Sequence, residues 1–373
     1  MKIFILFSFA FACSFMKIVV SNANPVSYEA IFNFGDSISD TGNAATYNPA
    51  MPSNSPYGST YFKHPSGRMS DGRLIIDFIA EAYGLPMLPA YLNLTKEQDI
   101  RKGVNFAYAG ATALSENFFL QKQVNIPVAA AYSLNVQLDW FKKLKSSLCQ
   151  NKEECDNLFK KSLFIVGEIG GNDINALIPY KNITALQELV PPIVEEITNI
   201  TTKLIEEGAV ELAVPGNFPI GCNSGVLTIV NSDKNDDYDQ FGCLTSYNDF
   251  IENYNEQIKK AIDILRQKNS QVKIIYFDYY GAAKRLFQAP QEYGFPSERK
   301  ETFKACCGKG EPYNVDINIF CGSPASITCS DPSKHINWDG VHFTEAAYKQ
   351  IAKGILEGSF ANPPLRSPPI KIE

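Results

Sequence analysis

Ala30-Ile31-Phe32-Asn33-Phe34 is an apolar run of strand length, and it gives way at once to Gly35-Asp36-Ser37-Ile38-Ser39-Asp40-Thr41-Gly42-Asn43, a polar stretch rich in turn formers. A strand this short and this apolar belongs in the middle of a sheet covered on both faces. Runs at 163–166, 210–214 and 272–277 read the same way, each rich in β-branched or aromatic residues. Helical period fills the chain between them. Leu186, Leu189, Val190, Ile193, Val194, Ile197, Ile200 and Leu204 fall on one face, and Tyr247, Phe250, Ile251, Tyr254, Ile258, Ile262 and Leu265 on another. Gly208 follows the first of these helices as a stop. Thr344 is placed to cap a last helix running through Leu356, with Glu345 in its first turn. Strands that alternate with helices imply crossovers and a parallel sheet, hence a three-layer α/β/α domain. In such sheets the functional residues gather at the carboxyl ends of strands, and Ser37 stands at one.

The ends of the 373-residue chain read differently from its body. Lys2 precedes an apolar run at 3–15, and small polar residues follow up to Ala23. This reads as a signal peptide over 1–23, too short and too interrupted at Lys17 for a membrane anchor. Residues 24–360 are expected to form one domain, and the proline-rich end, 361–373, a flexible tail. Sequons at Asn93, Asn182 and Asn199 agree with a secretory route to the cell exterior or a vacuole. So do the eight cysteines left of nine once Cys13 is removed with the leader. Cys149 with Cys155, and Cys222 with Cys243, have spacings that suit local disulfides. The pairing of Cys306, Cys307, Cys321 and Cys329 stays open, although neighbours 306 and 307 are not expected to join each other. Those four lack the paired C-x-x-C spacing of a structural zinc site, so no metal is expected. A net charge of -6 without a basic block argues against a nucleic-acid partner.

Three histidines are candidates for a general base: His64, His335 and His342. The first two sit in loop-like text. His342 directly precedes the last helix, and a turn at Gly340 can fold Asp339 back onto its ring. A carboxylate there would fix the imidazole tautomer, although an aspartate beside a histidine can also be a simple cap. Ser37 needs such a base to become a nucleophile, and a serine there can also simply belong to a turn that caps a helix. No G-x-S-x-G elbow occurs, which disfavours the usual α/β-hydrolase arrangement. Gly110, in the small-residue run 105–112, and Asn172, in Gly170-Gly171-Asn172-Asp173 beyond the strand at 163–166, are the residue types that donate to an oxyanion. Loop-rich insertions at 45–68 and 290–333 are placed to frame a substrate site.

Taken together, these blocks resemble the plant branch of the GDSL, or SGNH, hydrolases over about 28–360. The resemblance is carried by four blocks in fixed order: 34–43, 105–112, 170–173 and Asp339 to His342. Ile38 replaces the leucine of the name motif. Further shared text, Ser70-Asp71-Gly72-Arg73 and Gly216-Asn217-Phe218-Pro219-Ile220-Gly221-Cys222, is similar to plant acetylesterases, choline-ester hydrolases and early nodulin-like proteins. The resemblance implies a flavodoxin-like sandwich, no cofactor, Ser37 as nucleophile, His342 as base and Asp339 as its orienting acid. It also implies an oxyanion hole made by Ser37, Gly110 and Asn172. The expected activity is hydrolysis of small acyl esters, such as acetates, of a plant metabolite through an acyl-enzyme. The substrate is a small molecule or glycan. Acyl transfer by the same residues, deacetylation of a cell-wall polysaccharide, and a lapsed, ligand-binding glycoprotein are the rivals. Neither the substrate nor the oligomeric state is fixed by the sequence.

Overall fold

The computed structural model describes residues 27–47, 55–123 and 129–372. The expected signal peptide and Cys13 lie outside these. Five parallel strands form the body of the sheet: β1 (Ala30–Phe34), β2 (Gly103–Asn105), β3 (Ser162–Val166), β4 (Glu211–Pro215) and β5 (Lys273–Phe277). Their order is β2-β1-β3-β4-β5, so the chain steps from β1 to one side and then returns to build the other. Helices Leu134–Leu148, Val190–Glu206 and Thr245–Lys268 pack as one group, and Ile75–Ala82, Tyr279–Gln288 and Glu345–Leu356 as a second. This is the doubly wound α/β/α sandwich. Its switch point lies between β1 and β3, where such sheets open a crevice.

β1, β3 and β4 are buried at every position. Phe32 and Phe34 meet Phe106, Phe141, Phe159 and Phe164 in a continuous aromatic cluster. Each such ring contributes roughly 1.5–3 kcal/mol by leaving water. Two glycines let the tips of β1 and β3 touch. Gly35 has φ +137°, and a Cβ there would lie 2.9 Å from Ser39 Oγ and 3.0 Å from the Glu168 carbonyl; a side chain at Gly167 would run into the Phe34 carbonyl. The segments carrying Ser37 and Glu168 therefore leave the sheet side by side.

Thr344 caps its helix as expected, its Oγ1 accepting from Ala347 N at 3.2 Å. Gly208, with φ +110°, ends the helix Val190–Glu206. That helix is shorter than its apolar stripe suggests. Pro191 and Pro192 fit only a first turn, so Leu186 belongs to a separate turn, Ile183–Gln187.

The flexible tail expected over 361–373 is corrected by the structure. Ala361–Asn362 form β8, antiparallel to β5, and close that edge of the sheet. Arg366 pairs with the buried Glu211 at 2.8 Å and its carbonyl accepts from the Tyr83 hydroxyl, while Ile370 N donates to Ala82 O at 3.1 Å. Leu365 and Ile372 are buried. A proline-rich segment without apolar period can still dock through isolated apolar contacts, which periodicity does not register.

In the second insertion Cys307–Gly308 (β6) and Ile327–Thr328 (β7) pair as a short ribbon. Cys306 joins Cys329 and Cys307 joins Cys321, beside Cys149–Cys155 and Cys222–Cys243. All eight of these thiols are thus in disulfides. No group of three or more His, Cys, Asp or Glu among the described residues could hold a metal. No helix among the described residues is long and apolar enough to cross a membrane.

Candidate active site

The turn after β1 lifts Ser37 from the sheet. Asp36 shapes it, its carbonyl accepting from Ser39 N and Asp40 N and its Oδ1 from Ile38 N at 3.0 Å. From the other end of the chain, residues 337–343 fold back on themselves: Trp338 N donates to the His342 carbonyl at 2.7 Å. Gly340 turns this loop at φ +92°, where a Cβ would press within 2.9 Å of Val315. Asp339 Oδ1 accepts from Val341 N and His342 N, and the carboxylate lies 2.8 and 2.9 Å from His342 Nδ1. Because a carboxylate only accepts, Nδ1 carries the proton and Nε2 has a free lone pair. The Ser37 hydroxyl donates to that Nε2 at 2.8 Å. Ser37 and His342, 305 residues apart in sequence, are 7% and 9% exposed.

The electrostatics follow from burial and charge. Burial opposes ionisation of Asp339, but His342 beside it and the Tyr57 hydroxyl, donating to Oδ2 at 2.6 Å, hold its carboxyl down to about 2. Burial would lower the His342 pKa; the charge of Asp339 and its hydrogen bond outweigh that and raise it above the ordinary value. Burial and the nearby Asp339 charge push the Tyr57 hydroxyl up, so it remains a donor.

The sequence blocks are locked together by buried carboxylates that accept backbone N–H groups. Asp40 takes Gly42 N, Asn43 N and Ala44 N from its own turn and Ala109 N from the 105–112 segment. Asp173 takes Ala113 N and Leu114 N. Asn172 Nδ2 donates to Asp36 Oδ2 at 2.8 Å and to the Ala111 carbonyl at 3.0 Å. Burial pushes Asp36 up to about 6 and Asp173 up to about 7. Burial and the neighbouring Asp36 push Glu168 well above the usual carboxylate range.

Ser37, Asp36, Glu168 and Asn172 line one cavity of about 210 Å³, walled on the apolar side by Ile178, Phe218, Ile220, Val226 and Ile229. Gly110, at φ +83°, is one residue from the carbonyl that holds Asn172 but is not among the cavity walls. Of the other histidines, His64 is exposed, and His335 has its Nδ1 3.2 Å from the Lys304 carbonyl. The Ser70–Arg73 text clamps the far side of the histidine loop. Ser70 Oγ donates to the Phe343 carbonyl, Asp71 accepts from Glu345 N, and Arg73 pairs with Glu345.

Sequence reasoning passed over Tyr57, Glu168 and Asn217. Tyr57 lay in an insertion noted only for its composition. Glu168 carries the one carboxylate in the short polar stretch between β3 and Gly170, and a charged residue at a strand's carboxyl end was a usable signal. The arrangement suits a hydroxyl activated by an imidazole, with N–H donors at hand for a developing negative charge.

A sequence model of GDSL-like lipases and acylhydrolases matches residues 31–355. The chain is 47% identical over 347 residues to GDSL esterase/lipase At5g45910 of Arabidopsis thaliana, covering 91% of this chain and 92% of that one. It is 44% identical to GDSL esterase/lipase At1g28600 of the same plant, covering 95% and 91%.

Proposed function

The chain belongs to the GDSL-like lipase/acylhydrolase family and is a carboxylic ester hydrolase, and we propose that it works through Ser37 as nucleophile, His342 as base and Asp339 as the acid that orients it. The hydrogen-bonded chain from Ser37 Oγ through the His342 ring to Asp339 carries this reading. Ser37 attacks the ester carbonyl as its proton passes to Nε2. The imidazolium then returns that proton to the departing alcohol, and water repeats the sequence on the acyl-enzyme. The Ser37 and Gly110 N–H groups and the Asn172 amide hold the oxyanion. Both Asn172 hydrogens are already engaged, so the oxyanion competes with the neutral Ala111 carbonyl for one of them.

The cavity's modest volume supports a small acyl group, such as acetyl, on a plant metabolite. The route is secretory, to the apoplast or a vacuole. It is supported by four disulfides and by exposed sequon asparagines at 93, 182 and 199. The test is Ser37→Ala assayed on p-nitrophenyl acetate, together with labelling by a fluorophosphonate probe. Loss of both turnover and label is expected; wild-type turnover in the variant removes Ser37 from the role.

A further inference from the structure

The cavity beside Ser37 contains polar atoms that ester cleavage leaves unused. Glu168 Oε1, Asn175 Oδ1 and Asn217 Nδ2 are buried and have no hydrogen-bond partner within the protein, and all three residues line this cavity. Two of these atoms, Glu168 Oε1 and Asn217 Nδ2, converge on one spot together with the amide nitrogen of Asn175. A Cβ placed on Gly171 would lie 3.0 Å from Glu168 Oε1, 3.6 Å from Asn217 Nδ2 and 3.8 Å from Asn175 Nδ2. Glu168 and Asn217 are each 4% exposed. The orientation of Asn217 is set from behind. Its Oδ1 accepts from Phe218 N at 2.8 Å, while its backbone is held on both sides by Asn255, so Nδ2 is the end turned to a ligand. Buried polar groups are almost always paired, and two unpaired ones around a single point, with a third side chain's amide beside them, are a built recognition feature.

The donor set narrows the chemistry. At the shared point Asn217 and Asn175 each offer an N–H. Glu168, which burial and the adjacent Asp36 hold well above the usual carboxylate range, turns its proton to Asp36 and offers Oε1 as an acceptor. An anion would be pressed against the Glu168 Oε1 acceptor while facing Asp36. A quaternary ammonium has no N–H to give Glu168 Oε1 and would face two amide donors. A hydroxyl group both donates and accepts, and it satisfies the set without bringing charge into the cavity. We infer that Glu168, Asn175 and Asn217 form a polar subsite for a hydroxyl group next to the scissile bond, so that the substrates are acyl esters of hydroxylated compounds. This rests on the assignment of Ser37 as the nucleophile.

Two ester pairs that differ by one hydroxyl test it. trans-2-Hydroxycyclohexyl acetate against cyclohexyl acetate probes the alcohol side, and phenyl lactate against phenyl propionate probes the acyl side. Each kcat/KM is divided by the hydroxide-catalysed rate constant of the same ester, which removes intrinsic reactivity. The expected result is a preference of about tenfold or more for the hydroxylated member of one pair, which names the side. That preference should fall to near one in Asn217→Leu, and in Asn175→Leu as a second variant at a less buried position. Because the preference is a ratio within one preparation, loss of folded enzyme cancels from it. A wild-type ratio near one in both pairs, or a preference that survives both substitutions, overturns the subsite and leaves the Ser37 assignment standing. Turnover of p-nitrophenyl acetate that persists in Ser37→Ala overturns that assignment, and the subsite falls with it.

Discussion

Tyr57 and Asp339 are 282 residues apart in sequence, yet the Tyr57 hydroxyl donates to Asp339 Oδ2 at 2.6 Å while the same carboxylate faces the His342 ring. Removing the hydroxyl in Tyr57→Phe takes away one of the bonds that hold this carboxylate down. The carboxylate becomes more basic and freer to rotate. The expected outcome is a loss of about three- to tenfold in kcat/KM, with the acid limb of its pH profile moved upward; a purely structural tyrosine would leave that limb in place.

The three histidines separate cleanly. His342→Ala should cost on the order of 10⁴-fold or more in kcat. His335→Ala, whose ring faces the Lys304 carbonyl, should stay within about twofold of wild type. The same steady-state assay on both variants decides between them.

Activity should fall as pH falls. As the proposed base His342 must be neutral to take the Ser37 proton, and Asp339 raises its pKa above the ordinary value, so the midpoint of the kcat/KM acid limb should lie above about 6.5. Asp339→Asn removes the charge that raises it. The residual activity should be lower by roughly 10⁴-fold, and its acid limb should move to lower pH.

Stability should run the opposite way over much of the same range. Asp36 titrates at about 6 and Asp173 at about 7, and Glu168 is also raised, all above unfolded carboxylates at roughly 4. The folded state therefore binds more protons between these values. The contribution is fully present below about pH 4 and is lost as pH rises through 6 to 7. Asp339, held at about 2, has the reverse sign and loses its contribution only as pH falls below about 4. Thermal melts should give a higher Tm at pH 5 than at pH 7.5, and Glu168→Gln should flatten the difference.

The docked C-terminal segment supplies a further measurement. Deleting 361–373 exposes the β5 edge, uncovers Tyr83 and strips Arg366 from the buried Glu211. A loss of about 3 kcal/mol is expected, seen as a Tm lower by roughly 5 °C or more. An unchanged Tm would mean that the segment contributes nothing.

Much of this architecture was readable from local pattern. The apolar run at 30–34 matches β1 residue for residue, and Thr344 caps the helix that its position announced, because burial and capping leave their mark within a few neighbouring residues. What sequence did not yield depended on distant partners. β2 has three residues, too few to display a period, and β8 exists only because β5 presents an open edge. The final cysteine pairs needed the ribbon of β6 and β7 to fix them. In the candidate site, His342 stood out as one of three histidines and Ser37 by its place just past the end of β1. Tyr57 and Asn217 did not, since an ordinary tyrosine or asparagine acquires its task only from what folding sets against it.

The hydroxyl and the imidazole enter the world at different times. At roughly 5–20 residues per second on the ribosome, the 305 residues between them take about 15 to 60 s to synthesise. Until residue 342 has been made, a growing polypeptide holds Ser37 without His342 beside it. With His342 as the proposed base, a chain that ends before residue 342 is expected to be silent toward esters.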